Sequence, residues 1–419
     1  MSYHMGINMG HDRSVAVVES GAIIVAIEQE RLDRIKHSVG FLLQSPDAMG
    51  QIQVPGESMA YCLDYLGLPL GEMSTITANM PGEDLAPKII RDKFSADLAS
   101  RVKTVPSHHL AHAYSAFWPS GFEEALVLVV DASGSTTAGT DGRKTESYTL
   151  YEGRGNELKE LHSEVVQSHL AALSTLGFVY ETVSRRAGFV TTLHSGLSFP
   201  EAGKLMGLAA YGGPQPNWQR WLAKEKGSLG VKISAYDIFL EMAALEKRYD
   251  DGREKPYFRP WLVDLAYKVQ TELEEVLCEI VTHACHMTGL KRVCVAGGVG
   301  LNSVANYKIL RDCGLEDIFV FPAAADNGIA VGCALWGYHS NEGGTQRPDL
   351  GSACFGRSYS KEETDNAIAR YGDLLEVEEH DFSGMIERVA EALAQGNIIA
   401  RFEKGTEFGP RALGHRSII

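Results

Sequence analysis

The sequence lacks any apolar run long enough to cross a membrane, and it lacks closely spaced pairs of cysteines. No stretch of the 419 residues approaches the length of about eighteen apolar residues that a transmembrane helix needs. The amino terminus has no basic segment followed by an apolar one. The seven cysteines are odd in number and scattered, which favours reduced thiols over a disulfide framework. We therefore expect a soluble cytoplasmic protein with no membrane partner.

Positive charge is also scarce. Lysine and arginine number 39 against 54 aspartates and glutamates, so the formal net charge is -15. An acidic average surface does not attract nucleic acid or anionic lipid, so we expect neither as a partner. The net charge does not exclude local basic pockets. The hydrophobic share of 44% and the charged share of 22% are ordinary for a globular protein. The length predicts two or three domains with sizeable cores.

The order of apolar segments predicts an α/β fold with an internal duplication. Residues 5–8, 15–19 and 22–27 have the pattern of three short strands joined by turns, followed by a helix that begins near Glu28. A second strand, turn and strand follow at residues 126–130 and 147–151. Two such openings in one chain predict a duplicated α/β core with a cleft between its halves.

Two histidines and two aspartates are candidates for a metal site. Helical spacing places His108 and His112 one turn apart on the same face, where two imidazoles can share an ion. Asp131 follows a buried strand pattern at its carboxyl end, where open α/β sheets place ligands, and Asp326 follows another such strand. Alternatively, the two histidines cap or pack a helix.

Two glycine-containing turns and one charged run are further candidates. Gly297 and Gly298 follow the strand pattern 292–296, where glycines let a nucleotide or phosphate approach the backbone, although many tight turns look the same. His11 lies in a polar turn between two predicted strands and suits a proton carrier or an orienting donor, unless the turn is simply solvated. Residues 28–37, judged by charge alone, form a solvated helix with internal ion pairs.

Taken in order, seven motifs resemble the NodU/CmcH family of O-carbamoyltransferases. They cover nearly the whole chain, and the ordered set is far more specific than any one of its members. The motifs are the turn at 10–12, the charged run 28–37, the histidine segment 108–113, Val130 with Asp131, and the segments 201–212, 296–302 and 407–418. The long helical pattern 261–287 lies between the fifth and sixth motifs.

The resemblance implies a fold and a reaction. The expected fold is a duplicated core of the actin and acetate or sugar kinase type (ASKHA), similar to the threonylcarbamoyl transferases of tRNA modification, over residues 1–348. Residues 349–419 would begin an α+β YrdC-like domain. The expected activity moves a carbamoyl group from carbamoyl phosphate, through a carbamoyl-adenylate made from ATP, to a hydroxyl of a small-molecule natural product of the antibiotic type. Mg²⁺ is expected for the ATP step.

The resemblance also assigns roles to residues. It implies that the metal ligands are His108, His112, Asp131 and Asp326, with Fe(II) expected, although this donor set also suits zinc or manganese. His11 would activate the acceptor hydroxyl or stabilise the oxyanion, and Lys36 would contact the carbamoyl-adenylate, whereas Arg31 and Glu30 would be structural. The remaining expected contacts are to the nucleotide and its phosphates, from Lys204, Gly297, Gly298, Asn302, Arg411 and Arg416.

The carboxyl end departs from the family pattern. Family members continue well beyond residues 409–417, and the residues after Gly351 are too few for a complete ATP-binding YrdC-like domain. We therefore expect that these 419 residues alone do not form the adenylate. Segments 40–55 and 168–198 are expected to set acceptor specificity, with residues 190–195 as a lining or a simple loop, and a homodimer is the default assembly.

Three alternatives to this function remain. A threonylcarbamoyl-type tRNA-modifying transferase would share the metal ligands, but the acidic composition and the carboxyl-terminal motif count against it. A small-molecule kinase on the same duplicated fold would leave the histidine pair unexplained. A non-catalytic nucleotide-binding half would bind metal and adenylate without turnover.

Overall fold

The computed structural model describes residues 2–40, 53–79, 98, 101–139, 142–169, 174–193, 196–344, 346–347 and 350–419. Most of the expected specificity segment 40–55, and parts of 168–198 and 190–195, lie outside these residues. Within the described residues, no helix is long and apolar enough to span a bilayer. Two mixed sheets dominate the described part of the chain.

The first sheet forms from the amino-terminal third of the chain. Its strands are β1 (Tyr3–Asn8), β2 (Ser14–Glu19), β3 (Ala22–Glu28), β4 (Met73–Asn79) and β5 (Val102–Thr104), in the spatial order β3-β2-β1-β4-β5. The first three strands are antiparallel hairpins, whereas β4 and β5 add in parallel to β1. The chain continues as strand to Glu28, so the following helix, α1 (Glu30–Asp33), begins slightly later than the charge pattern indicated.

The second sheet repeats this arrangement. Its strands are β6 (Glu124–Val130), β7 (Thr136–Gly139), β8 (Gly142–Arg154), β9 (Glu157–Gln167), β14 (Arg292–Ala296) and β15 (Asp317–Val320). The spatial order β9-β8-β6-β14-β15 has the same pattern of antiparallel hairpins and parallel additions, and β7 adds a short strand on β8. The predicted duplicated α/β core is therefore confirmed.

Two helices lie between the sheets and hold the residues of the site in position. They are α3 (His108–Phe117) and α9 (Ile329–Glu342), and one core cluster joins them to strands of both sheets. Helix α9 is buried on nearly every face because its sequence is apolar all round. A Cβ on its Gly332 would lie 1.9 Å from the carbonyl oxygen of Ala111, so α3 and α9 approach at backbone distance.

The remaining elements cover the outer faces and the cleft. The long helix α7 (Pro260–Thr288) buries its apolar face on the second sheet with Leu265, Val269 and Ile280, close to the predicted span of 261–287. The other described helices are α2 (Gly56–Leu66), α4 (Leu176–Arg186), α5 (Ala202–Ala209), α6 (Ala235–Tyr249) and α8 (Ser303–Asp312). Two short hairpins pair β10 (Val190–Thr192) with β11 (Ser198–Pro200), and β12 (Leu222–Lys224) with β13 (Val231–Ile233).

The carboxyl-terminal part is built differently. It consists of α10 (Lys361–Arg370), α11 (Phe382–Ala394) and the strand pair β16 (Ala400–Phe402) and β17 (Arg416–Ile418). Neither helix has a buried residue. The segment is joined to the first sheet through the buried Glu28, whose Oε1 accepts a hydrogen bond of 2.7 Å from the backbone N–H of Gly409.

Candidate active site between the two sheets

The four predicted metal ligands lie together where the two halves meet. Helix α3 begins at His108 because Ser107 caps it, accepting a hydrogen bond from the N–H of Leu110. Asp131 follows β6, and Asp326 lies in the turn before α9. One donor atom from each ligand lies within 4.8 Å of the others, and all four residues are buried. The Nε2 atoms of the two histidines lie between 3.3 and 3.5 Å from Asp131 Oδ2 and Asp326 Oδ1.

Neighbouring groups orient these ligands toward one point. The Nδ1 of His108 donates to Asn79 Oδ1 at 2.8 Å, which leaves its Nε2 for the centre, where it has no hydrogen-bond partner among the described residues. Asp131 Oδ1 accepts from the backbone N–H groups of Ala132 and Gly298, which leaves Oδ2 for the centre. Such outer partners are typical of metal ligands. Two imidazoles and two carboxylates, buried and converging, fit a divalent transition metal.

The charge balance of the metal-free cluster favours ion pairs. Burial alone would lower the pKa of His108, but the carboxylates of Asp326 and Asp131 raise it to about 10. Burial and the nearby carboxylate of Asp326 would raise the pKa of Asp131, but the neighbouring imidazoles of His108 and His112 hold it below its ordinary value. His108 thus holds a proton that a metal ion would displace on binding.

His11 lies against this cluster. Its turn joins β1 to β2, and its Nε2 lies 3.2 Å from Asp326 Oδ2. The side-chain amide of the fully buried Asn8 donates to the carbonyl oxygens of His11, Asp12 and Asp326, which ties the turn to the ligand. Burial would lower the pKa of His11, but Asp326 and Asp12 raise it to about 10. The predicted catalytic histidine and the predicted ligands therefore share one site.

A cavity of about 980 Å³ opens above the cluster. Asp131, Asp326 and His11 line it, together with residues from α4, from the hairpin β10–β11, from α5 and from the carboxyl-terminal part. Its walls therefore come from both halves of the core and from residues beyond 400. The volume is sufficient for a nucleotide-sized ligand.

Cationic side chains stand at one side of this cavity. The ammonium of Lys36 lies 3.1 Å from Glu201 Oε1 and 3.3 Å from Thr191 Oγ1, and Lys204 contacts the same carboxylate. The hydrogen bond from Lys204, with that from Lys36, lowers the pKa of Glu201 to about 2. Both predicted lysines therefore line the cavity as partners of a single carboxylate.

The glycine turn after β14 forms another wall. Gly297 has a φ of 88°, and a Cβ there would lie 2.2 Å from the carbonyl oxygen of Val130, so no larger residue fits. Gly298 and Asn302 line the cavity, whereas Gly297 lies behind it. The amide of Asn302 exchanges two hydrogen bonds with Gln270 and caps α8 through the N–H of Ala305.

The two predicted phosphate-binding arginines occupy different positions. Arg411 lines the cavity, and a Cβ on Gly203 at the start of α5 would lie 2.3 Å from its Nη2. Arg416 is not among the lining residues. Its Nε lies 3.5 Å from Glu407 Oε2, and its guanidinium donates to the carbonyl oxygen of Gly409. The structure brings Arg411 to the site and uses Arg416 to hold the carboxyl-terminal motif together.

Sequence reasoning missed several lining residues. Asp12 and His37 contact each other beside His11, and Glu181 and Arg185 project from α4. Asp12 directly follows His11 in the chain, so adjacency to a candidate residue was an available signal. His37 ends the charged run of residues 28–37, where charge alone indicated a solvated surface. Nothing in the sequence singles out Glu181 or Arg185, although both lie in the segment 168–198 that is expected to set acceptor specificity.

The fold and the cluster define a two-lobed α/β protein with a buried histidine and aspartate centre in its cleft. Residues 72–335 match the family model described as carbamoyltransferase N-terminus, and residues 390–419 match the model described as carbamoyltransferase C-terminus. The chain belongs to the carbamoyltransferase family. The resemblance drawn from the ordered motifs is thereby confirmed.

Two similar proteins are each longer than this chain. Nodulation protein NolNO of Sinorhizobium fredii is 32% identical over 447 residues, which cover 98% of this chain and 58% of the relative. An uncharacterized protein of Synechocystis, sll1178, is 30% identical over 100% of this chain and 71% of its own length. The crystal structure of T. kodakarensis HypF aligns with a TM-score of 0.49 at 17% identity, covering 83% of this chain and 49% of that chain. The chain thus spans little more than half the length of NolNO.

Proposed function

We propose that this chain catalyses O-carbamoyl transfer to a hydroxyl of a small-molecule acceptor, using a carbamoyl-adenylate derived from carbamoyl phosphate and ATP. One observation supports this function above the others: the cavity lies on a buried cluster of two histidines and two aspartates, with His11 against it, in a chain of the carbamoyltransferase family. A natural-product scaffold of the antibiotic type is the proposed acceptor class, and Mg²⁺ the proposed ion for the ATP step.

Fe(II) is the proposed resident metal, held by His108, His112, Asp131 and Asp326. The converging buried donors and the unpartnered Nε2 of His108 support a fit. When bound, a divalent ion supplies Lewis acidity and an anchor for phosphate oxygens. The ligand set alone is compatible with zinc or manganese, so iron stays a proposal.

His11 is the proposed residue at the reacting carbamoyl group. Its Nε2 is the ring nitrogen on the side of Asp326, so it can hold or receive a proton where an acceptor hydroxyl would lie. A proton held there would stabilise the negative charge that develops on the carbonyl oxygen, and an unprotonated nitrogen would activate the hydroxyl instead. Stabilising the oxyanion needs a protonated Nε2, and activating the hydroxyl needs an unprotonated Nε2. Both roles need the same position of the His11 ring.

Cations around the cavity are the proposed contacts of the nucleotide. The ammonium groups of Lys36 and Lys204 both contact the carboxylate of Glu201. Because this carboxylate neutralises only one of the two positive charges, the other remains for a phosphate. Arg411 offers a guanidinium that can bind phosphate oxygens in pairs. Gly298 and Asn302 are proposed to form the floor of the nucleotide site, and Gly297 to support it from behind through its close packing on Val130. Arg416 is proposed to act indirectly by positioning the motif that carries Arg411.

The first test measures bound metal and carbamoyl transfer together. Wild type, His112→Ala and His11→Ala are compared by elemental analysis and by transfer from supplied carbamoyl-adenylate to a panel of hydroxylated acceptors. We expect about one metal ion per wild-type chain, loss of metal and transfer in His112→Ala, and loss of transfer alone in His11→Ala. The exposed His286 on α7 supplies a matched control, His286→Ala, which should resemble wild type.

Two results would contradict the proposal. Equal metal content in wild type and His112→Ala would remove the cluster as the metal site. Transfer by His11→Ala at the wild-type rate would remove His11 from the reaction. If the wild type forms product from ATP and carbamoyl phosphate without added adenylate, the expectation that these residues do not form the adenylate is wrong.

A further inference from the structure

Asp12 lies between two imidazoles. Its Oδ2 is 2.8 Å from His11 Nδ1, and its Oδ1 is 2.8 Å from His37 Nδ1. Both carboxylate oxygens are therefore occupied by ring nitrogens, one from each histidine. A carboxylate offers only acceptors, so each Nδ1 carries the hydrogen that it donates.

The backbone holds this arrangement at some conformational cost. Asp12 has a φ of 52° and His37 a φ of 63°, both in the left-handed region that residues other than glycine rarely adopt. The N–H of Asp12 donates to the carbonyl oxygen of His37 at 2.6 Å. Arg13 adds two hydrogen bonds of 2.8 Å to the carbonyl and hydroxyl oxygens of Ser38. These contacts fix the end of the charged run against the turn that carries His11.

His37 is itself held from two further sides. Its backbone N–H donates to Glu30 Oε2 at 3.0 Å. The ring of Phe199, from β11, stacks on its imidazole at a centroid distance of 4.6 Å with an interplanar angle of 26°. The same phenyl ring lies 5.7 Å from the ring of His11. Phe199 therefore packs beside both imidazoles and limits how far either can turn.

We propose that Asp12 and His37 are positioning residues for His11. Asp12 accepts the Nδ1 hydrogen of His11 and so leaves Nε2 as the nitrogen that faces Asp326 and the cavity. His37 occupies the second oxygen of Asp12 and keeps the carboxylate from rotating away. This inference deepens the proposed function and rests on it, because the orientation matters only if His11 acts at the carbamoyl group. A carboxylate that fixes a histidine in this way can be worth several orders of magnitude in rate.

The geometry makes conservative substitutions informative. In Asp12→Asn one carboxylate oxygen becomes an amide nitrogen, which cannot accept from a ring N–H, so one of the two histidines loses its partner. In His37→Asn the side-chain amide nitrogen stands near the former Nδ1 and can still donate to Asp12. His37→Ala provides no donor. The pair His37→Asn and His37→Ala thus separates loss of the donor from loss of the ring.

The test combines kinetics, metal content and the ¹⁵N chemical shifts of the ring nitrogens of His11. With supplied carbamoyl-adenylate, we expect Asp12→Asn to lower kcat by about 100-fold or more, with KM for the donor changed by less than about threefold. His37→Ala should lower kcat by about tenfold, and His37→Asn should recover most of it. Metal content should stay at the wild-type value in all three, and the ¹⁵N chemical shift of His11 Nδ1 should change in Asp12→Asn because its hydrogen bond to the carboxylate is lost.

Several outcomes would overturn the proposal. Unchanged kcat together with unchanged ¹⁵N shifts in Asp12→Asn would show that the carboxylate does not orient the ring. A fall in kcat that is matched by loss of metal would show that Asp12 acts on the structure of the cluster instead. If the wild type transfers no carbamoyl group, the proposed function fails, and the ¹⁵N shifts of Asp12→Asn against wild type still decide whether Asp12 sets the ring of His11.

Discussion

Glu181 is a carboxylic acid in the cavity with no hydrogen bond or salt bridge to another described residue. It lies on α4 one turn after Gly177, which packs against the backbone of Asp131 and Ala132. Burial, with the negative charge of Asp131 added, raises the pKa of Glu181 to about 7, although Arg185 opposes the shift. The folded chain therefore holds a proton there at pH values where the unfolded chain has lost it.

This linkage predicts a pH-dependent effect of Glu181→Gln on stability. Because the pKa in the folded state is raised, the wild type loses stability as the pH increases from about 5 to 8. The full shift corresponds to about 3 kcal/mol, which we discount to about 1–2 kcal/mol because solvent reaches the cavity. We expect metal-free Glu181→Gln to match wild type near pH 5 and to exceed its free energy of unfolding at pH 8. Urea titrations check this, with the exposed Glu157→Gln as a control. A constant difference at both pH values would contradict it.

At the scale of elements, the close approach of α3 and α9 fixes the ligands. A Cβ at Gly332 would lie 1.9 Å from the carbonyl oxygen of Ala111, which lies directly before His112. Gly6 on β1 has the same relation to the carbonyl oxygen of Ala330 on α9. Both glycines lie against backbone, which cannot move as a side-chain end can. The position of α3, and of the two histidines on it, therefore depends on small residues in a helix and a strand.

Substitution of Gly332 should accordingly affect stability and metal binding together. We expect Gly332→Ala to lower the free energy of unfolding by about 2–3 kcal/mol, as overpacking of a core does, and to weaken metal binding because α3 is displaced. Gly207→Ala in α5 is the matched control, since a Cβ added there would meet no atom within 4 Å, and it should be neutral or stabilising by up to about 1 kcal/mol. Thermal unfolding and metal titration check both variants. If Gly332→Ala is destabilised but binds metal with wild-type affinity, the packing of α3 against α9 does not control the geometry of the metal ligands.

Elements with strong local patterns were predictable from the sequence, and contacts between distant segments were not. The strand before Asp131 and the helical pair His108 and His112 follow from apolar runs and helical spacing, and the structure has them at β6 and α3. The hydrogen bond between His37 and Asp12 joins positions 25 residues apart through two left-handed backbone conformations. Such conformations leave no periodic pattern. The charge pattern therefore predicts a solvated surface for the run 28–37, although the run ends beside the candidate site.

At the scale of the molecule, the duplicated core and the carboxyl-terminal part differ in how they are stabilised. The core buries apolar faces between and outside its two sheets. Helix α11 instead has an apolar stripe of Phe382, Met385 and Ile386 that is exposed, and none of its residues is buried. The motif after residue 405 is held to the core by the buried ring of Phe408, which packs near Phe321, and by the hydrogen bond from Gly409 to Glu28, two residues that are 381 positions apart. Sequence patterns could indicate the amphipathic helix but not this contact.

This contrast predicts a gradient of hydrogen exchange along the chain. Amides of α11 should exchange at least about 100-fold faster than the buried amides of α7, because helices that bury little apolar surface open at low free energy. The Gly409 amide should be protected despite its position in the same carboxyl-terminal part, since it is buried and bonded to Glu28. Exchange monitored by mass spectrometry or NMR checks both expectations. Glu28→Ala should remove protection at Gly409, Glu28→Gln should retain much of it through its amide oxygen, and α7 should stay protected in both. Protection of α11 equal to that of α7 would show that its apolar stripe is covered in solution.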